Sequence, residues 1–75
     1  MAKTTFGERL KIVRSLRGLT AKKVSEKCGL HFTAISLFEN DKREPQASSL
    51  AKLAVGLNVS ADYLLGLIKD TRSLL

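Results

Sequence analysis

Apolar residues recur along this chain at helical spacing. Phe6, Leu10, Val13 and Leu16, with Ile12 alongside, mark one amphipathic helix, and Gly18 supplies a left-handed stop after it. Thr20 is placed to cap a second helix containing Val24, Ser25 and Cys28, which Gly29 ends. A third helix runs from about His31 or Phe32 to Phe38 or Glu39, with Ile35 and Phe38 three apart on its inner face. Residues 40–45 form a polar turn segment in which Pro45 excludes helix at Glu44. Leu50, Leu53, Ala54 and Leu57 define a fourth helix. Ser60 caps a fifth, with Asp62 in its first turn and Tyr63, Leu64 and Leu65 behind it. There is no alternating strand pattern and no internal repeat. The pattern predicts an all-α fold, a compact five-helix domain over residues 1–68, with 69–75 a tail that serves as linker or dimerisation segment.

Composition narrows the function. The chain has 75 residues, 44% apolar and 27% charged, too hydrophobic and too mixed in sign for a disordered basic tail. A domain of this size buries only about 60% of its unfolded surface, leaving little room for both a core and a deep substrate pocket. The single cysteine, Cys28, excludes an internal disulfide and a Cys-rich zinc site, and reads as a small core residue. Apolar runs of a few residues fall far short of the roughly 20 that span a bilayer. No apolar block follows Met1, so the expectation is a cytoplasmic, reduced protein with no membrane partner. With one His, one Cys and no clustered carboxylates or phosphate-binding loop, no catalytic constellation can be assembled. An enzyme, a metal site, a cofactor and a small-molecule substrate are not expected.

Charge is asymmetric. Residues 1–43 hold ten of the 13 basic residues and four of the seven acidic ones, whereas the remainder is balanced, three against three. The whole excess of +6 therefore lies in the first part of the chain, which suggests a polyanion-facing half and a neutral half free for other contacts. The alternative is a merely soluble basic surface.

The stretch from Ala21 to Phe38 gives that half a form. Counting Ala21 as one, apolar side chains fall at four (Val24), eight (Cys28), ten (Leu30), fifteen (Ile35) and eighteen (Phe38). Small Ser25 at five lets two helices cross closely, and Gly29 at nine accepts the positive φ of a tight turn. Each feature alone is common; seven in register point to a helix-turn-helix.

Over Phe6 to Leu67 the chain resembles the Cro/repressor-like (XRE) family of DNA-binding domains. The matching stretches are Phe6-Gly7-Glu8-Arg9-Leu10, Arg17-Gly18-Leu19-Thr20, Phe38-Glu39-Asn40 through Arg43-Glu44-Pro45, and Asn58-Val59-Ser60-Ala61-Asp62-Tyr63-Leu64-Leu65-Gly66. The resemblance implies a lambda-repressor-like fold and sequence-specific binding of double-stranded DNA, usually as a symmetric dimer that controls transcription. It places helix 3 in the major groove, so His31, Phe32, Thr33, Ser36 and Leu37 become the base-contacting candidates. They depart from the family's preference for Arg, Gln, Ser and Asn. Hydrogen-bond readout falls to His31, Thr33 and Ser36, while Phe32 and Leu37 suit thymine methyl groups or, alternatively, a protein contact.

Thr20, Lys22 and Lys23 open helix 2, where cations sit against the helix dipole unless a phosphate docks there. Ala21 stands where the family usually has Gln, so a lysine would replace that contact; the alternative is a solvated lysine pair. Asn40, Lys42 and Arg43 follow helix 3 at the family's second backbone clamp, with Asp41 in place of the common glycine. Arg17 and Lys27 are expected as peripheral phosphate contacts. By the same resemblance Arg14 forms a structural ion pair with Glu39.

Tyr63, Leu64, Leu65, Leu67 and Ile68 exceed what one small core needs, and Tyr63 and Leu64 are the expected core members. Leu65, Leu67 and Ile68 then make a dimer interface for binding a palindromic operator. The alternative is that the chain is the DNA-binding piece of a longer repressor, its tail the start of a linker. A protein-interaction adaptor that keeps the fold and docks its partner on the apolar face of helix 3 is the competing function.

Overall fold

Four of the five helices start where a side chain takes up a free backbone N–H, α4 behind Gln46 being the exception, and each stops at or next to a left-handed residue. The computed structural model describes residues 4–68, all helix and connecting turns, with α1 Phe6–Leu16, α2 Ala21–Cys28, α3 Phe32–Glu39, α4 Ala47–Leu57 and α5 Ala61–Leu65. The expected tail, 69–75, lies outside the described residues. Thr5 and Glu8 form a reciprocal capping box on α1, the Glu8 amide donating to Thr5 Oγ1 (3.1 Å) and the Thr5 amide to Glu8 Oε1 (2.8 Å). Thr20 caps α2 through the Lys23 amide, and Ser60 caps α5 through that of Asp62. Gly29, at φ 67°, closes α2 and turns the chain into α3, as a tight helix-turn-helix connection requires.

α1 packs on α3 and α5, while α2 packs on α3 and α4. The side chains of Leu10, Val13, Val24, Ile35, Leu53 and Leu64 are fully buried between them, with Leu57, Phe38, Tyr63, Val59 and Cys28 nearly so. Each such side chain contributes roughly 1.5–3 kcal/mol. Phe6 meets Phe38 edge to face, ring centres 6.4 Å apart. Leu16 departs from expectation and is 57% exposed. The inward stripe of α1 runs 6–10–13–17 and passes through Arg17, one residue beyond Leu16.

Two helices cross at glycines. A methyl group on Gly7 would stand 2.5 Å from the Glu39 carbonyl oxygen and 2.6 Å from that of Phe38, so α1 lies directly on the end of α3. A methyl on Gly56 would stand 2.5 Å from Cys28 Sγ, so α4 lies directly on the end of α2. Burial pushes the Cys28 thiol up from its ordinary value, with Lys27 opposing, which fits a packing role for this residue.

Candidate nucleic-acid interface

α3 presents one face to the core and one outward. Ile35 and Phe38 point in, whereas Phe32, Thr33, Ser36, Leu37 and Asn40 follow the i, i+1, i+4, i+5, i+8 positions of the opposite face. His31, Phe32 and Thr33 are exposed; Ser36 and Leu37 are half-buried. Phe32 stays 50% exposed, a large apolar surface at the open end of the helix. His31 is the N-cap: its Nδ1 accepts the Thr33 amide at 3.2 Å. The neutral ring therefore carries its proton on Nε2, which leaves that donor free beside Phe32.

The far end of α3 is clamped. Arg14 donates from Nε to Glu39 Oε2 (2.7 Å), from Nη2 to Glu39 Oε1 (3.2 Å) and from Nη1 to the Leu19 carbonyl (3.3 Å). Glu39 is 7% exposed and Arg14 25%, so this two-pronged pair holds α3 against α1 with its carboxylate largely out of water. Asp41 adds a second tie. It adopts a left-handed φ of 57°, the conformation that a glycine would take there without strain. Its carboxylate accepts the Gly7 amide at Oδ1 (2.9 Å) and the Thr5 hydroxyl at Oδ2 (2.6 Å). The Thr5 hydroxyl first, then the Gly7 amide, hold its pKa below the ordinary carboxylate value, helped by Lys11 and Arg9. The acidic replacement in this turn is thus a fastening between α3 and the start of α1, a contact sequence reasoning missed because its partners lie more than 30 residues away.

Exposed cations stand at the start of α2 and just past α3. Lys22 and Lys23 stand exposed on the first turn of α2, Lys23 with only a loose 3.7 Å pairing to Glu26. Thr20 Oγ1 is occupied by the Lys23 amide but keeps its hydroxyl proton as a donor. Lys42 and Arg43 stand exposed beyond α3. Asn40 donates Nδ2 to the Ser36 carbonyl at 2.9 Å, which ties its carboxamide to the helix. Arg17 Nε donates to the Leu57 carbonyl (2.9 Å) and Nη2 to the Asn58 carbonyl (2.8 Å). It closes the C-terminus of α4, whose orphan carbonyls need donors, a structural tie that the sequence did not announce. Lys27 lines the same cleft as Arg17, Leu19 and Leu57, at the opposite end of α2 from Lys22 and Lys23. Of the expected dimer residues, Leu65 and Leu67 are 48% and 71% exposed, whereas Ile68 is half-buried and packs on the core.

A helix-turn-helix family model matches residues 10–64. The HTH-type transcriptional regulator ImmR of Bacillus subtilis (strain 168) is 42% identical over 62 residues, which are 83% of this chain and 49% of that protein. The chain spans roughly half the length of the curated relatives it matches. Among solved structures, the P22 c2 repressor in complex with synthetic operator 9T superposes with a TM-score of 0.79 at 30% identity, covering 84% of this chain and 96% of that one. The N-terminal DNA-binding domain of SinR from Bacillus subtilis gives 0.77 at 27% identity, covering 88% and 94%. Two crossed helices joined at Gly29, the clamped third helix and these matches place the chain in the helix-turn-helix family of Cro/repressor (XRE) type.

Proposed function

We propose that this domain is the DNA-binding part of a cytoplasmic transcriptional repressor, laying α3 in the major groove of duplex DNA. The observation that carries the reading is the outward α3 face, on which Phe32, Thr33, Ser36, Leu37 and Asn40 include no acidic side chain, in a domain that exposes Lys22 and Lys23 at the start of α2 and Lys42 and Arg43 just past α3. His31, Phe32, Thr33, Ser36 and Leu37 meet base edges. Thr20, Lys22, Lys23, Lys42 and Arg43 hold phosphates, and a phosphate at the α2 N-terminus turns the misplaced lysine charges into favourable ones. Two copies, paired through Leu65 and Leu67, read a palindrome with half-sites about 34–36 Å apart.

Four cations from each of two copies make eight phosphate contacts, so log K should fall against log salt with a slope of about −7. Fluorescence anisotropy on duplexes selected from a random pool measures this. Lys42→Ala should flatten the slope by about 2 for the dimer and weaken all sequences alike. Micromolar or weaker binding at low salt, without sequence preference, overturns the reading. Retention of a protein partner that Phe32→Ser abolishes, with DNA affinity unchanged, would favour the adaptor instead.

A further inference from the structure

We infer that α3 recognises its DNA through the 5-methyl groups of thymine, with Phe32 and Leu37 as the specificity-determining residues; this rests on the major-groove reading above. The inference follows from what the outward face contains. Guanine and adenine are distinguished chiefly by side chains that make two parallel hydrogen bonds, namely Arg, Lys, Asn and Gln. Between His31 and Glu39 none of these occurs. Asn40, the one carboxamide at the end of the face, is tied back to the Ser36 carbonyl at 2.9 Å. Arg43 and Lys42 lie beyond the helix in the turn. The polar groups that remain, His31 Nε2 and the Thr33 and Ser36 hydroxyls, offer single bonds that several bases can satisfy.

Apolar surface is what this face has in quantity. Phe32 is half exposed, and Leu37, half-buried, lies five residues on and about 140° round the helix, at the other edge of the outward arc with Ser36 between them. Only thymine, or a methylated cytosine, carries an apolar group on the major-groove edge. Charge complementarity commits the face to nucleic acid: lysines stand at the start of α2, Lys42 and Arg43 past α3, and Glu39 is buried against Arg14. The cations bring the groove to the helix, and closing Phe32 and Leu37 on methyl groups removes apolar surface from water on both sides.

The test needs no protein variant in its first arm. A duplex selected from a random pool by the full chain is resynthesised with deoxyuridine at each thymine in turn, which removes one methyl and leaves base pairing intact. At contacted positions affinity should fall about fourfold per methyl, the ratio set by transferring one such group from water. Replacing a contacted T·A pair by 5-methylcytosine·G should bind more tightly than the unmethylated C·G pair. Phe32→Ala should lower affinity for the thymine duplex and erase the thymine–uracil difference at its own position. Circular dichroism confirms that this exposed substitution leaves the fold intact. Equal affinity for thymine and deoxyuridine duplexes at every position overturns the inference while leaving DNA binding standing. An equal loss on both duplexes with Phe32→Ala removes Phe32 from the readout. Absence of binding to any duplex overturns the DNA reading and this inference with it.

Discussion

Glu39 and Asp41 are two carboxylates, two residues apart, that hold α3 by different physics. Glu39 is buried and paired, so Glu39→Ala strands the Arg14 guanidinium against the core. The expected loss is about 3 kcal/mol, which lowers the melting temperature by roughly 12–24 °C for a domain of this size. Replacing both partners, Arg14→Met with Glu39→Leu, should recover at least half of that, because apolar side chains of similar volume need no partner. Thermal melts followed by circular dichroism read both values. Asp41 is exposed, and its contribution shows in pH. Its folded pKa lies below the ordinary 3.8, so its stabilisation is present above that value and is lost as pH falls through the depressed one. Asp41→Asn keeps the tolerance for a left-handed backbone and removes the charge. Its urea midpoint should decline less steeply than that of the parent chain below about pH 4.

At the scale of elements, two crossings without side chains set how closely the helices lie. Gly56→Ala should destabilise by about 1–3 kcal/mol through overpacking against Cys28. Cys28→Ala in the same chain should restore part of it, since Sγ is the atom at 2.5 Å while the Cys28 Cα stays at 3.1 Å. A double-mutant cycle in urea gives the coupling. Gly7→Ala has no such rescue, because the obstacles are carbonyl oxygens of Phe38 and Glu39. These crossings mark what the sequence could and could not announce. The five helices were readable because caps, stops and the 3.6-residue period are written within a few neighbours: Thr20 to Lys23, Ser25 to Gly29, Ser60 to Asp62. The outward face of α3 followed from the same period. Gly7, Gly56, Arg9, Arg17 and Asp41 were opaque for one reason. Each acts on a backbone or sulfur atom of a distant segment, and no local pattern carries the identity of that neighbour. A glycine inside a helix was the one visible hint.

For the whole molecule, the proposed reading gives the basic first half to DNA and the apolar end of α5 to a second copy. Leu65 and Leu67 are exposed, so Leu65→Ser with Leu67→Ser should leave unfolding within about 0.5 kcal/mol per site of the parent. Affinity for a duplex with two half-sites should drop to that for a single half-site, and sedimentation on DNA should report one copy. Arg9 carries a different consequence. Its Nε donates to the Leu64 carbonyl (2.9 Å) and its Nη1 to the Thr4 carbonyl (2.5 Å), while Gly66 closes over the guanidinium. One side chain thus spans the beginning and the finish of the folded unit, bringing them together like the two ends of a clasp. Such a unit can be rewired: joined head to tail by a short linker and opened between Lys42 and Glu44, the rearranged chain should still assemble the same bundle. By the same geometry it should tolerate being spliced whole into a surface loop of another protein, because Thr4 and Leu64 meet on one guanidinium.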